Sequence, residues 1–296
     1  LRHTEPVGVI EDRQVHVDVS AAPIRRVAWS HLKVADLVPL TTRVPYGSTG
    51  ISVSRLCWGT GLMAVLKHNL SHEDAARILL RGLDLGVNFW DAADGYKTHP
   101  HVGHALRQVN RAQVVVNSKT PSKDHAGATA DVERYLQEMG TEYIDTVMLH
   151  GIQTAEEYHR RAGAMDALHE MKAAGKIRAV GISTHLGTGE IMEICATDPR
   201  VEVVLTTANI DGQMLEGDMK AHLPLIEKIH AAGKGICLMK TLAQGGLTQT
   251  PATIRQAIRF NLSLPYAHSV CVGVNRVEEV DYAVEIAAEM EGAPQG

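Results

Sequence analysis

Eight short apolar runs recur along most of this chain, each separated from the next by a longer amphipathic stretch. That alternation is what most limits the folds open to it. The runs are residues 51–58, 87–90, 114–117, 143–149, 177–182, 201–206, 235–239 and 269–272. Each has the length of a strand, and the stretches between them carry helix signals. Ser71, followed by Glu73 and Asp74, reads as a helix N-cap with acidic residues in the first turn, where they suit the helix dipole. Ala75, Ile78, Leu79, Gly82 and Leu83 then supply one apolar face, and Gly86 closes the helix. Residues 130–139, 164–174 and 223–232 repeat the pattern and are closed by Gly140, Gly175 and Gly233. Strands alternating with helices imply parallel strands joined by right-handed crossovers. An open doubly wound sheet and a closed barrel both satisfy this rule. Eight successive units favour the barrel, an α/β (β/α)8 TIM barrel of the usual size of about 250 residues. The absence of a GxGxxG opening to the first helix weighs against the open dinucleotide-binding sheet.

The barrel is expected over residues 46–296 of the 296-residue chain, with residues 1–45 as an N-terminal extension packed on its outside. Within the extension, residues 15–19 alternate like a short strand, and residues 24–34 show no clear period. A net charge of −5 gives no basic footprint for nucleic acid. No apolar run is long enough to span a bilayer, so no membrane partner is expected. The four cysteines, Cys57, Cys195, Cys237 and Cys271, stand singly with no CxxC pair. They read as buried free thiols in a reducing, cytoplasmic setting. The first residue is Leu1 rather than Met, which leaves a removed export signal open.

In such a barrel the chemistry lies at the C-terminal ends of the strands. The run 87–90 is followed by Asp91, with Tyr96 five residues on; Lys119 and His150 end the next two runs. Neighbouring strands lie about 4.8 Å apart, so these groups can converge. A phenol titrates near pH 10. A nearby ammonium favours the phenolate, so Lys119 would lower that value, with Asp91 holding Lys119 charged and oriented. Tyr96 would then donate a proton near neutral pH, and His150 would hydrogen-bond the substrate oxygen. Singly, each residue has a structural reading: an ion pair at a strand end, a packing aromatic, a histidine in a turn. Their joint placement on adjacent strands favours the chemical one.

The segment Asn88-Phe89-Trp90-Asp91-Ala92-Ala93-Asp94-Gly95-Tyr96 resembles the aldo-keto reductase signature, in which Asp and Tyr are spaced by five. Lys119 after a β-run and His150 in Val-Met-Leu-His resemble the family's other two catalytic positions. The run from Tyr46 to Leu56 resembles its first hairpin and strand, and Lys176 to Ser183 its fifth strand. The resemblance covers about residues 46–290. It implies an oxidoreductase in which NADPH, or less often NADH, binds across the barrel mouth. Hydride then passes between nicotinamide and a carbonyl or alcohol substrate. Carried over, Tyr96 is the general acid, Lys119 and Asp91 tune it, and His150 positions the carbonyl.

The resemblance also implies cofactor contacts. Gly59 and Thr60 match backbone contacts after the first barrel strand. Ser183 matches a residue that bonds the nicotinamide amide, followed here by Thr184 in place of Asn. The usual Gln of the sixth strand is Leu205. The family's nicotinamide-stacking Tyr aligns with Ala208, just before Asn209, leaving Trp58 and Trp90 as candidate substitutes. Lys240, Thr241, Leu242 and Gly245 belong to a stretch resembling a pyrophosphate-clasping loop. Gly273, Asn275, Arg276 and Glu279 belong to one resembling the family's closing strand-to-helix segment. At that helix start, backbone N–H groups favour anions, and Arg276 either pairs a 2′-phosphate or is a solvated arginine.

Three histidines, His99, His101 and His104, follow Tyr96 closely. A metal site there is less expected than a place for His99 or His101 beside the substrate, and Pro100 is expected to prevent a continuous helix through His99. Parts of the chain resemble a family branch with C-terminal iron–sulfur clusters, yet no cysteine follows Cys271, so no cluster is expected. The changes at Thr184, Leu205 and Ala208 motivate an alternative reading: a non-redox lyase or isomerase using Tyr96, Lys119 and His150 for proton transfer. A sensor without turnover is opposed by the intact four-residue group. The pattern leaves the identity of the carbonyl or alcohol substrate, and the oligomeric state, undetermined.

Overall fold

The computed structural model describes Leu37, residues 39–64 and residues 67–292. The strand expected at 15–19 and the segment 24–34 lie outside the described residues. The chain first forms an antiparallel hairpin of β1 (Arg43–Pro45) and β2 (Ser52–Ser54). Eight strands then follow: β3 (Leu56–Gly59), β4 (Phe89–Asp91), β5 (Val115–Thr120), β6 (Ile144–Leu149), β7 (Ile177–Thr184), β8 (Val203–Thr207), β9 (Gly235–Met239) and β10 (Ser269–Gly273). Each pairs in parallel with its sequence neighbours, and β10 pairs with β3, so the sheet closes into a barrel. The expected (β/α)8 architecture is the observed one.

The helices lie between the strands in the expected alternation. They are α1 (His72–Asp84), α2 (His99–Leu106), α3 (His125–Met139), α4 (Ala155–Arg160), α5 (Ala162–Ala173), α6 (Gly189–Thr197), α7 (Met219–Ala231), α8 (Pro251–Ser263) and α9 (Val277–Glu291). Ser71 caps α1 as expected, its hydroxyl accepting the N–H of Asp74. Gly86, Gly140, Gly175 and Gly233 all have positive φ just after their helices, where a side chain would be strained.

The strands bury both faces, which explains why they read as nearly continuous apolar runs. One face fills the barrel with Cys57, Phe89, Val115, Met148, Ala179, Val203, Leu205, Cys237, Met239 and Cys271. The other packs against the helices, with Trp58, Trp90, Val116, Val147 and Val204 among its members. At one such contact, a Cβ on Gly82 of α1 would stand 1.9 Å from Trp58 Nε1, so only glycine lets this helix lie so close to β3.

The hairpin closes the N-terminal end. Tyr46, Ile51 and Val53 join the inner cluster, and the Tyr46 ring meets Phe89 edge-on at 5.5 Å. That leaves the C-terminal end of the barrel as its open mouth.

One local expectation is corrected. Residues 51–58 are not one strand: the chain turns at Arg55, so that β2 serves the hairpin and β3 the barrel. Ser54 and Asn88 hold this turn, the Ser54 N–H donating to Asn88 Oδ1 at 2.8 Å and the Asn88 N–H to Ser54 Oγ at 3.0 Å. As expected, Pro100 allows no helix to run continuously through His99, since α2 begins at that residue. The proline lies in the first turn of α2, where its missing N–H would have had no acceptor within the helix. The hairpin also begins at Arg43, so pairing in the described fold starts before residue 46.

Candidate active site

Strand alternation decides which side chains reach the mouth. Phe89 and Asp91, Val115 and Asn117, and Ala179 and Ser183 follow the two-residue period of the inner face. Asp91 ends β4, Lys119 lies next to the end of β5, and His150 directly follows β6. Lys119 Nζ donates to Asp91 Oδ1 at 2.6 Å and to the Ala92 carbonyl at 2.8 Å. Asn117 Nδ2 donates to the same Asp91 oxygen at 2.6 Å. Both partners of the ion pair are almost fully buried, with side-chain exposures of 1% and 6%.

Tyr96 closes a short 3-10 turn, residues Asp94–Tyr96, that hangs above β4. Its ring centroid is 4.8 Å from Lys119 Nζ and 6.0 Å from the His150 ring, which stands perpendicular to it at 89°. The turn is anchored by Asp94, which accepts from Arg134 of α3 at 2.6 Å. All four predicted catalytic residues therefore meet at the mouth.

Electrostatics here differ from the expectation in one respect. Burial raises the Tyr96 pKa, and the opposing pull of the Lys119 ammonium does not overcome it. Lys119 was expected to lower it. The cause is partial burial of the phenol, which penalises phenolate. Tyr96 is thus a protonated donor at neutral pH. For Lys119, burial alone would favour the amine, but Asp91 and Tyr96 outweigh it and the ammonium is held well above its ordinary value. Burial, aided by Lys119, pushes His150 down to about 3, so it is a neutral imidazole.

His150 is not alone in this. Burial pushes His185, His222 and His268 each down to about 4. Their unfolded pKa is near 6.5, so below it the unfolded chain binds protons that the folded chain does not. Stability conferred by these four groups is complete above about pH 6.5 and falls as pH drops from there toward 4. Thermal melting between pH 7 and 4.5 should show a steadily falling midpoint, with net proton uptake on unfolding in calorimetry. A midpoint flat across that range would contradict the burial of these rings.

The expected cofactor residues are placed as follows. Gly59 ends β3, and Thr60 Oγ1 donates to the Asp91 carbonyl at 2.9 Å, supporting the acidic residue from behind. Ser183 is buried, with its Oγ accepting the Gly151 N–H at 2.9 Å. The Thr184 hydroxyl meets Gln153 Oε1 at 3.3 Å. The Asn209 amide is spent on both backbone groups of Gln213, at 2.9 Å each. Thr241 Oγ1 bonds the Cys271 carbonyl at 2.9 Å. Leu242 precedes a turn in which Ala243, Gln244 and Gly245 all have positive φ. Gly273 ends β10 and is exposed, while Arg276 caps α9 with its side chain exposed. The Asn275 N–H donates to Glu279 Oε2 at 2.8 Å, so a carboxylate of the chain already faces this helix start. Burial raises the Glu279 pKa.

Ala208, Trp58 and Trp90 take no part in the mouth. All three belong to the outer cluster against the helices, and the Ala208 carbonyl accepts from Asn261 of α8 at 2.7 Å. The histidine run is likewise structural. His99 bridges Glu138 and Ser118 at 2.9 and 2.8 Å, His101 bonds the Leu70 carbonyl, and His104 bonds Glu73. The three rings serve different partners, and neither His99 nor His101 stands beside the four-residue group. Among the described residues, no group of three or more His, Cys, Asp or Glu is placed to hold a metal ion, and no helix is long and apolar enough to cross a membrane.

Three contributors went unnoticed in the sequence. Asn117 lies two residues before Lys119 and so on the same inner face, a signal that alternation alone carries. His185 stands two residues beyond Ser183, and its ring lies 6.0 Å from that of His150. Gln153 fixes the loop that carries it, its Oε1 accepting the N–H groups of His185 and Leu186 at 3.2 and 2.9 Å.

Comparison with known proteins agrees with this geometry. Residues 55–291 match the family model described as the Aldo/keto reductase family. Among curated proteins, the chain is 27% identical over 165 residues to the NADH-specific methylglyoxal reductase of Escherichia coli K12, covering 47% of this chain and 51% of that protein. It is 23% identical over 288 residues to L-galactose dehydrogenase of Arabidopsis thaliana, covering 83% and 88%. The match thus spans about half the length of the first relative and most of the second. An aldo-keto reductase from Bacillus halodurans, solved in its holo form, has the same fold, with a TM-score of 0.70 at 21% identity over 86% of this chain and 92% of that one.

Proposed function

Because the chain belongs to the aldo/keto reductase family, we propose that it is an NAD(P)H-dependent oxidoreductase interconverting a small carbonyl compound and its alcohol, with Tyr96 as general acid and base. The observation that carries this reading is the convergence of Tyr96, Lys119, Asp91 and His150 at the open end of the barrel. A reduced nicotinamide supplies the hydride in such chemistry. The chain's residues have the complementary task. Tyr96, protonated at neutral pH, gives its phenolic proton to the carbonyl oxygen as negative charge develops there. Lys119, held charged by Asp91, stabilises the phenolate left behind. His150 offers a neutral N–H to the same oxygen and fixes its direction. For the reverse reaction the phenolate takes the alcohol proton back.

The residues present fit a dinucleotide. The left-handed turn at Ala243, Gln244 and Gly245 lets backbone approach a diphosphate closely, and the start of α9 with Arg276 suits a phosphate. Methylglyoxal, the compound named for one relative, heads the substrates to try.

The test is titration with NADPH and NADH followed by tryptophan fluorescence, then turnover of small aldehydes and ketones monitored by nicotinamide absorbance. Binding with turnover supports the proposal; no binding of either cofactor, reduced or oxidised, overturns it. Arg276→Ala should weaken NADPH binding about tenfold or more while altering NADH little, since a charge-assisted bond is worth about 1.5–3 kcal/mol. Equal losses for both cofactors would mean that Arg276 does not read the 2′-phosphate.

A further inference from the structure

The charges around the mouth do not balance. Asp91 is taken up by Lys119 and Asn117. Arg161, almost fully buried, spends its guanidinium on the carbonyls of Ser122, His150 and Thr120 and pairs with Glu157 at 4.0 Å. Lys240 remains. It follows the last residue of β9, on the mouth side, and is half-buried. Its side chain has no hydrogen bond or ion pair among the described residues, and it stands at the same end of the barrel as Lys119, His150 and His185. Its backbone is left-handed at φ 61°, a conformation that costs a non-glycine residue energy. Cations withdrawn from water are ordinarily paired. His185 stands in the same position: its ring faces His150 at 6.0 Å, neither ring nitrogen has a hydrogen-bond partner among the described residues, and Gln153 holds its backbone in place. The mouth therefore presents one uncompensated ammonium and two imidazoles with free polar edges, beside the phenol that gives the proton.

We propose that the substrate is an oxo acid, a small carbonyl compound carrying a carboxylate, whose anionic group is held by Lys240 and His185 while its carbonyl lies between Tyr96 and His150. The inference rests on the reading of the mouth as a carbonyl site. It adds that the substrate brings the negative charge that the mouth lacks. Burial and the neighbouring cations drive Lys240 toward the neutral amine, and an incoming carboxylate reverses that drive. Desolvated, such a contact is worth more than a surface ion pair. A diphosphate of the cofactor offers the same chemistry, and the experiment separates the two.

Calorimetric titration of the whole chain with oxamate and with its uncharged ester, ethyl oxamate, tests anion recognition without turnover. The wild type should bind oxamate at least tenfold more tightly. Lys240→Met, which keeps a long side chain and the same backbone demand, should abolish the difference, and Lys240→Arg should retain most of it. Unchanged melting midpoints show that the variants fold. Equal binding of oxamate and ester by the wild type, or an undiminished preference in Lys240→Met, overturns the proposal. Titration with ADP-ribose is the second arm. A loss confined to ADP-ribose in Lys240→Met assigns the ammonium to the cofactor diphosphate and also overturns it. In turnover, glyoxylate should exceed methylglyoxal in kcat/KM, and Lys240→Met should reverse that order. Selective oxamate binding without turnover of any carbonyl would retain the anion site and discard the oxidoreductase reading. Turnover of carbonyls with no preference for the acid would do the opposite.

Discussion

Tyr96→Phe is expected to lower kcat for carbonyl reduction by at least a hundredfold while leaving the dissociation constants for NADPH and NADH within about twofold. The substitution removes one oxygen from a ring whose packing is otherwise kept. General acid catalysis by a positioned group typically supplies about a hundred- to ten-thousandfold; the lower bound corresponds to about 2.7 kcal/mol of activation free energy. The raised pKa of Tyr96 adds a pH signature. The phenol stays protonated through neutrality, so reduction in the wild type should hold its rate up to alkaline pH and fall only as the phenol ionises. Single-turnover rates with one cofactor across pH 6–10 would measure both effects. An unchanged kcat in Tyr96→Phe would remove the residue from the proton transfer.

Lys119→Met should have the largest effect on stability and abolish most activity as well. The variant leaves the Asp91 carboxylate almost fully buried, with Asn117 as its side-chain donor and its cationic partner gone. Removing one member of a buried ion pair costs about 3–5 kcal/mol, because the remaining charge keeps its desolvation penalty without the Coulomb term. The pair itself contributes far less than that. Asp91→Asn combined with Lys119→Met should therefore recover much of the lost stability in urea unfolding, without recovering activity. A double variant no more stable than Lys119→Met would show that the loss came from packing. The sign of the pH dependence follows from the raised Lys119 pKa. The stabilisation is complete at neutral pH and is lost only as pH climbs through that raised value.

Much of the site was legible along the chain because two simple periodicities govern it. Strand ends can be located from apolar runs, and in a parallel barrel those ends gather at one mouth. Asp91, Lys119 and His150 could be placed there for that reason, and Tyr96 by its spacing from Asp91. The same logic fails where a residue's side of the strand is at stake. Ala208 matches a family position in linear order yet packs in the outer cluster with the helices. His99 follows Tyr96 closely but turns into the seam between α2, α3 and β5, where Glu138 and Ser118 satisfy it. The direction of the Tyr96 shift also escaped, since it depends on how much water the folded mouth excludes.

The cysteines show the same division in small. Along the chain they are solitary, and all four are buried free thiols as expected. In the fold, Cys57 and Cys271 become register partners on β3 and β10, and Cys237 joins them inside the barrel. Burial and the neighbouring thiols push the Cys57 pKa well up. The sequence by itself determined the count of barrel strands, their parallel alternation with helices and the identities of the groups at their ends. Those follow from local periodicity and capping, which neighbouring residues set. Closure of the barrel decided the rest: which side chains face one another, which lose their water and which are left without a partner. Lys240 and His185 lie 55 residues apart in number and share one mouth only because β7, β8 and β9 stand side by side.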